Sequence, residues 1–169
     1  MEIDFVITWV DMNDAEWQRD FVKYSNKTEN EKNSVSKARF RDYGLLKFWF
    51  RGVEKFAPWV RKIHFVTCGQ KPEWLDENHP KINLVDHKKF IPEQFLPSYN
   101  SVVIERYLHK IPDLLEHFVY FNDDFYIINH LDKRRFFQNG LPCDISIFQY
   151  NPNWSQWYIR IKNNISLIN

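Results

Sequence analysis

Phe118-Val119-Tyr120-Phe121-Asn122-Asp123-Asp124 decides how this chain is read: four aromatic and β-branched residues run without interruption into an amide and two carboxylates. A segment apolar on both faces suits a strand buried in a parallel sheet, which has helices on either side. Open α/β sheets gather their ligands outside the carboxyl ends of their strands. The stretch therefore predicts a buried strand whose tip, Asn122 to Asp124, does chemistry.

Working outward, Ile3-Asp4-Phe5-Val6-Ile7-Thr8-Trp9-Val10 has the same character and ends at Asp11-Met12-Asn13-Asp14. Lys62-Ile63-His64-Phe65-Val66-Thr67 ends at the turn-rich Cys68-Gly69-Gln70-Lys71-Pro72, and Ile82-Asn83-Leu84-Val85 ends at Asp86-His87. Between the first two strands, Leu45, Leu46, Phe48, Trp49, Val53 and Phe56 recur at helical spacing up to Ala57-Pro58, with Asp42 as N-cap. A further helix is expected from Ser101 to Lys110. Phe125-Tyr126-Ile127-Ile128 and Asp144-Ile145-Ser146-Ile147-Phe148 read as additional strands, with a turn at Asn139-Gly140 between them. Residues 25–34 hold almost no apolar side chain, and a mobile loop is expected over about 25–38. Strands alternating with helices predict an α/β fold, a mainly parallel, Rossmann-like (GT-A-like) sheet flanked by helices. Its strand ends bring together Asp11 and Asn13, Thr67 to Gln70, Asp86-His87 and the acidic tip.

Composition narrows the partners. The 169 residues suit one domain, and 23 basic against 22 acidic side chains leave a formal charge of +1. No field of one sign is available to hold a polyanion, so a nucleic-acid partner is not expected. No apolar run reaches the ~20 residues of a membrane span, so contact with a membrane is at most peripheral. Acids at Glu2 and Asp4 break up what would be a signal peptide's apolar region, so the chain is expected in the cytoplasm, as far as the inner face of the membrane. Cys68 and Cys143 stand far apart with no metal spacing and are read as small buried thiols.

With four glycines and neither a dinucleotide fingerprint nor a phosphate loop, NAD enzymes and P-loop ATPases are disfavoured. Adjacent carboxylates at a strand end are costly to bury alone, and a divalent cation, Mg2+ or Mn2+, would remove that cost while keeping water and phosphate oxygens as its other ligands. Two carboxylates that only cap a turn are about as common, and their position after a buried strand favours function. A nucleotide diphosphate held by metal and acid rather than by glycine is the logic of nucleotide-sugar transferases.

Ile3 to Asp11, Arg39-Phe40-Arg41-Asp42, Phe56-Ala57-Pro58-Trp59-Val60 and Phe118 to Asp124 together resemble the Stealth family. The intervening blocks Ile63 to Thr67 with Gly69-Gln70, Pro72-Glu73-Trp74-Leu75, Leu96-Pro97-Ser98-Tyr99 with Ser101, Ile104-Glu105 and Leu108-His109 fit the same resemblance. It implies a first family region over 1–14 and a second over 39–143, in a single, truncated catalytic domain spanning 1–169. Stealth proteins transfer a sugar 1-phosphate from a nucleotide sugar such as UDP-GlcNAc to a hydroxyl, in bacteria a hydroxyl of a capsular polysaccharide. The resemblance thus implies a nucleotide-sugar donor, a polysaccharide acceptor and Mg2+ or Mn2+. It makes Asp124 the first catalytic candidate, as base or metal ligand, with Asp123 as second ligand and His109 ranked below. Trp9, Asp11, Arg39, Arg41, Asp42, Gln70, Glu105 and Asn122 are the expected nucleotide-sugar contacts. Glu105 and His109, at i and i+4, are expected on one helix face turned toward the strand ends. The family's third and fourth regions, which carry a histidine and phosphate-binding arginines, are not evident in this chain. A non-catalytic carbohydrate-binding or partner-binding module, with Trp154 and Trp157 as stacking surface, and a metal-dependent glycosyltransferase are the competing readings.

Overall fold

The computed structural model of the chain describes residues 1–24 and 43–144. Its core is a sheet of β1 (Asp4–Thr8), β2 (Ile63–Thr67), β3 (Ile82–Asp86) and β4 (Phe118–Phe121), all parallel and ordered β3-β2-β1-β4. The chain steps from β1 to β2 to β3 in one direction, then returns to place β4 on the free side of β1. That reversal opens a crevice between the carboxyl ends of β1 and β4, the position where doubly wound sheets bind ligands. The expected Rossmann-like α/β fold is what the chain adopts.

Side chains alternate along each strand, and the two faces of β1 meet different layers. Phe5 and Ile7 pack with Leu46, Trp49 and Val53 of α2 (Leu46–Phe56). Val6 faces the other way, with Val66, Val85, Leu108 and Ile111, where α3 (Ser101–Tyr107) and the turn after it cover the sheet. Fully burying an apolar side chain of this size is worth roughly 1.5–3 kcal/mol, so the two layers hold the strand ends in register.

At the amino end of the sheet the α3-side face carries a buried charge. Asp4, 0% exposed, accepts from Arg61 Nε at 2.8 Å, Arg61 Nη2 at 2.6 Å and the Leu115 amide at 3.0 Å. His64, also 0% exposed, sits 3.1 Å from the same carboxylate, and its Nδ1 lies 2.9 Å from the Asn83 amide nitrogen. With Asn83 donating to Nδ1, the proton sits on Nε2 and is donated to Asp4. Burial pushes the His64 pKa down despite Asp4, consistent with a neutral ring. Neither Asp4 nor His64 reaches the ligand end of the sheet.

Several expectations shift. The first strand stops at Thr8, two residues before Val10. The strand expected to be buried, β4, is half-buried and, among the described residues, at the edge of the sheet. A helix absent from the sequence reading, α1 (Ala15–Tyr24), follows β1 and is capped by Asp14, whose Oδ1 accepts from the Glu16 and Trp17 amides at 2.8 and 2.9 Å. The Asp42 cap, the loop expected over about 25–38, and 145–148 of the last expected strand lie outside the described residues. Cys143 is exposed, not buried.

Residues 125–128 form no strand. They leave β4 as an extended strap over α2, where the Leu131 amide donates to the Phe56 carbonyl at 3.0 Å and Trp59 Nε1 donates to the Leu131 carbonyl at 2.6 Å. The Asn139-Gly140 turn is present, but it joins two short antiparallel strands, β5 (Phe137–Gln138) and β6 (Leu141–Pro142). Both turn residues have positive φ, 54° and 81°, as a tight hairpin turn requires.

Gly52 lets the strap lie down: a Cβ there would meet the Ile127 carbonyl oxygen at 2.5 Å. Gly52→Ala should gain helix propensity yet lose about 1–3 kcal/mol overall, because a backbone carbonyl must move. Urea denaturation reads the change, and a more stable variant would contradict this close contact.

Candidate functional site

The crevice between β1 and β4 is a cleft of about 300 Å3. Its floor is the carboxyl end of the two strands, Thr8 to Val10 on one side and Tyr120, Asn122 and Asp123 on the other. Ser101, Ile104 and Glu105 of α3 form one wall. Because Val6, Thr8 and Tyr120 share the α3-side face, the Tyr120 hydroxyl reaches Thr8 Oγ1 at 3.1 Å and bridges the two strands at their tips. Burial, with the Glu105 and Asp123 carboxylates, raises the Tyr120 pKa against the Thr8 hydrogen bond, so the phenol stays protonated as a donor.

A second and larger cleft, about 780 Å3, adjoins the first over the ends of β2 and β3. The two share Trp17, Cys68, His87, Ser98 and Tyr99. Trp17 stacks on Phe21 at 5.0 Å, and Tyr99 meets both rings edge-on at 5.6 and 5.2 Å, which ties α1 to the loop before α3.

The expected site residues separate into groups. Trp9 borders the smaller cleft and packs against Phe65 at 5.8 Å, and Glu105, Asn122 and Asp123 border it too. Asp124 is next along the same exposed turn, which the Phe125 amide closes onto the Asn122 carbonyl at 3.3 Å. Gln70 borders the larger cleft, but its amide is engaged: Oε1 accepts from the Asp11 amide at 2.9 Å and Nε2 donates to the Asp11 carbonyl at 2.8 Å. That paired contact braces the loop after β1 against the loop after β2. Asp11 itself borders neither cleft, and its carboxylate accepts from the Asn13 amide at 2.8 Å. Arg39, Arg41, Asp42, Trp154 and Trp157 lie outside the described residues.

His109 is not brought to the strand ends. α3 stops at Tyr107, and Leu108–Lys110 is a 3-10 turn, so the i, i+4 face shared with Glu105 does not form. A few residues later Asp113 accepts from Arg61 and Lys62, at the opposite end of the sheet. His109 is exposed and borders neither cleft.

Among the described residues no three His, Cys, Asp or Glu side chains cluster tightly enough to enclose a metal. Asp123 and Asp124 are adjacent hard-oxygen donors on an exposed turn. That fits a Mg2+ or Mn2+ ion which keeps water and phosphate oxygens as its remaining ligands.

Two contributors, Tyr120 and Trp17, escaped the sequence reading, and a third, His87, was placed at a strand end without a role. Tyr120 reads as a core aromatic, and only its pairing with Thr8 across β1 and β4 gives its hydroxyl a role. Trp17 lies on the unrecognised α1. His87 follows a strand end and is 8% exposed, with burial holding its pKa down to about 4 from 6.5 against the pull of Asp86. The unfolded chain therefore takes up a proton near pH 6.5 that the folded chain refuses until about pH 4. Stability contributed by the neutral ring is complete above that window and is lost as the pH falls through it. His87→Gln should flatten this acid limb in thermal melts, and an unaltered slope would contradict it. Burial also raises the Cys68 thiol to about 11, which leaves it unreactive at neutral pH.

Comparison with known proteins places two family matches on the chain: Stealth protein CR1, conserved region 1, over residues 1–29, and Stealth protein CR2, conserved region 2, over residues 39–144. A receptor polysaccharide phosphotransferase, WefC of Streptococcus oralis, is 50% identical over 143 residues, 83% of this chain and 43% of the relative. A capsular polysaccharide phosphotransferase, WcwK of Streptococcus pneumoniae, is 43% identical over 99% of this chain and 50% of its own length. An exopolysaccharide phosphotransferase, cps2G of Lactiplantibacillus plantarum, is 42% identical over 99% of this chain and 49% of its own length. The chain thus spans about half the length of these curated relatives. No helix among the described residues is long and apolar enough to cross a membrane.

Proposed function

The chain belongs to the Stealth protein family, and from that premise we propose that it forms the donor-binding part of an enzyme that transfers a sugar 1-phosphate from a nucleotide sugar, such as UDP-GlcNAc, to a hydroxyl of a bacterial capsular or exopolysaccharide. The observation that carries this reading is the cleft at the switch between β1 and β4, with Tyr120, Glu105, Asn122 and Asp123 around it; Asp124 follows Asp123 on the same turn but borders neither cleft. The similarity to polysaccharide phosphotransferases supports the reaction class.

In the proposed reaction the acceptor oxygen attacks the β-phosphorus of the donor. The bond from that phosphorus to the bridging oxygen breaks, the sugar leaves as part of a phosphodiester, and the nucleoside monophosphate departs with the bridging oxygen. The acceptor proton goes to a carboxylate, for which Asp124 is the first candidate. Asn122 and the Tyr120 hydroxyl supply hydrogen bonds to the donor, and Trp9 supplies an apolar surface beside it. Glu105 and Asp123 make this cleft negative, so the diphosphate needs countercharge. A divalent ion on Asp123 and Asp124 would supply it by neutralising phosphate oxygens, and Arg39 and Arg41 are proposed to add to it.

Calorimetric titration of this chain with UDP-GlcNAc, with and without Mn2+, tests the site. Binding is expected to need Mn2+ and to weaken on Asp123→Ala. Binding indifferent to both would overturn the assignment of the acidic tip.

A further inference from the structure

The larger cleft carries more acids than the smaller one. Asp14, Glu16, Asp20, Asp86 and Glu93 border it, against Lys88 as the one cation among its described lining residues. Two of these acids are engaged locally, Asp14 capping α1 and Asp86 accepting from the Lys88 amide at 2.8 Å. Glu16, Asp20 and Glu93 remain as exposed acceptors at the rim. Five carboxylates around one cleft, with no adjacent pair such as Asp123-Asp124 to hold a countering metal, disfavour a phosphate. They suit a ligand that brings hydrogen-bond donors and no negative charge.

The wall between the clefts gives the second indication. Trp17, one face of which lies flat against Phe21, and Tyr99 place aromatic rings in its lining. His87 borders both clefts, is 8% exposed, and its ring has no hydrogen-bond partner among the described residues. Among the described residues Trp49 Nε1 is the one side-chain nitrogen or oxygen sealed from solvent without a partner, so the unbonded His87 nitrogens are reachable. A buried polar ring normally finds a partner, and this one is left open toward the clefts. Aromatic walls with a few convergent polar groups, at a volume of several hundred Å3, are the usual make-up of a small-ligand subsite.

We propose that the larger cleft binds the uncharged, hydroxyl-rich end of the acceptor glycan, with Trp17 and Tyr99 against its C–H faces, Asp20 and Glu93 accepting from its hydroxyls, and His87 positioning the hydroxyl that enters the donor cleft. The direction of entry rests on the donor reading above. The binding itself does not.

The test uses this chain and neutral saccharides of gluco, galacto and N-acetyl configuration, with sialyllactose as the anionic control, read by the indole N–H resonance of Trp17 and assigned with Trp17→Phe. At least one neutral saccharide should shift that resonance at millimolar concentration, and sialyllactose should bind more weakly. The exposed double substitution Asp20→Asn with Glu93→Gln should weaken neutral-sugar binding about tenfold and leave the UDP-GlcNAc titration unchanged, since a hydrogen bond to a charged group is worth roughly that factor. His87→Ala should weaken it as well, with partial recovery in His87→Asn, which keeps a neutral hydrogen-bonding group. If no neutral saccharide shifts Trp17, or the double substitution has no effect, the inference fails whether or not UDP-GlcNAc binds. Sugar binding without UDP-GlcNAc binding would instead leave the acceptor cleft standing and overturn the donor reading.

Discussion

Asp4→Ala is expected to destabilise the chain by about 3–5 kcal/mol, because it leaves the buried His64 Nε2–H and the Leu115 amide without an acceptor and strips Arg61 of its nearer carboxylate, with Asp113 alone remaining. Burial by itself would raise the Asp4 pKa. The Arg61 hydrogen bonds, the Leu115 amide and His64 outweigh it and hold the carboxyl below its ordinary value of 3.8. A carboxyl lowered by folding contributes stability that is complete above the unfolded pKa and disappears as the pH drops through the folded value. Asp4→Asn should therefore cost most at neutral pH and progressively less as the pH falls below 3.8 and the wild-type carboxyl is itself neutralised. Thermal melts across that range measure both effects, and an Asp4→Asn penalty that grows toward acid pH would contradict the network. None of these changes touches the ligand end of the sheet, so any folded fraction should still bind donor.

Asp124→Ala should act in the opposite way, on chemistry and not on the fold. Its carboxylate is exposed on a turn that the backbone closes without it, so the melting temperature should stay within a degree or two. Turnover by a longer protein that contains this segment should fall by about 10²–10⁴-fold, the usual contribution of a positioned base. Asp124→Asn should be nearly as inactive, since the amide keeps the shape but neither takes a proton nor offers a carboxylate to the divalent ion that would offset the phosphate charge. A variant at either position with near wild-type turnover would remove Asp124 from the site.

The strand cores were legible because Phe5 to Ile7 and Ile63 to Val66 are continuous apolar runs, and α2 because its apolar residues keep helical spacing. The ligand end followed from the strand-end rule, which needs no side-chain detail. α1 was missed because its sequence is polar apart from one stripe. The signal was present in Asp14 as a cap, Glu16 in the first turn, and Trp17 and Phe21 spaced for one face. Phe125 to Ile128 has the composition of a strand, but among the described residues β4 has no partner beyond β1, and Gly52 offers the segment a seat on α2 that no local pattern encodes. His109 sat at helical spacing from Glu105, yet the helix tightens to a 3-10 turn before reaching it. Gln70 was chosen as a ligand contact by position, and the structure gives its amide to the Asp11 backbone. Asp123 and Glu105 border the smaller cleft, whereas Asp124, the first candidate by resemblance, is the next residue of the turn and borders neither cleft.

The central claim is attack at phosphorus by an acceptor brought to the crevice between β1 and β4. It is tested most directly by the nucleotide released when a longer protein containing this segment turns over UDP-GlcNAc with acceptor polysaccharide. Phosphoryl transfer predicts UMP, in an amount matching new phosphodiester and abolished by Asp124→Ala. Release of UDP would mean attack at the anomeric carbon and would contradict the account.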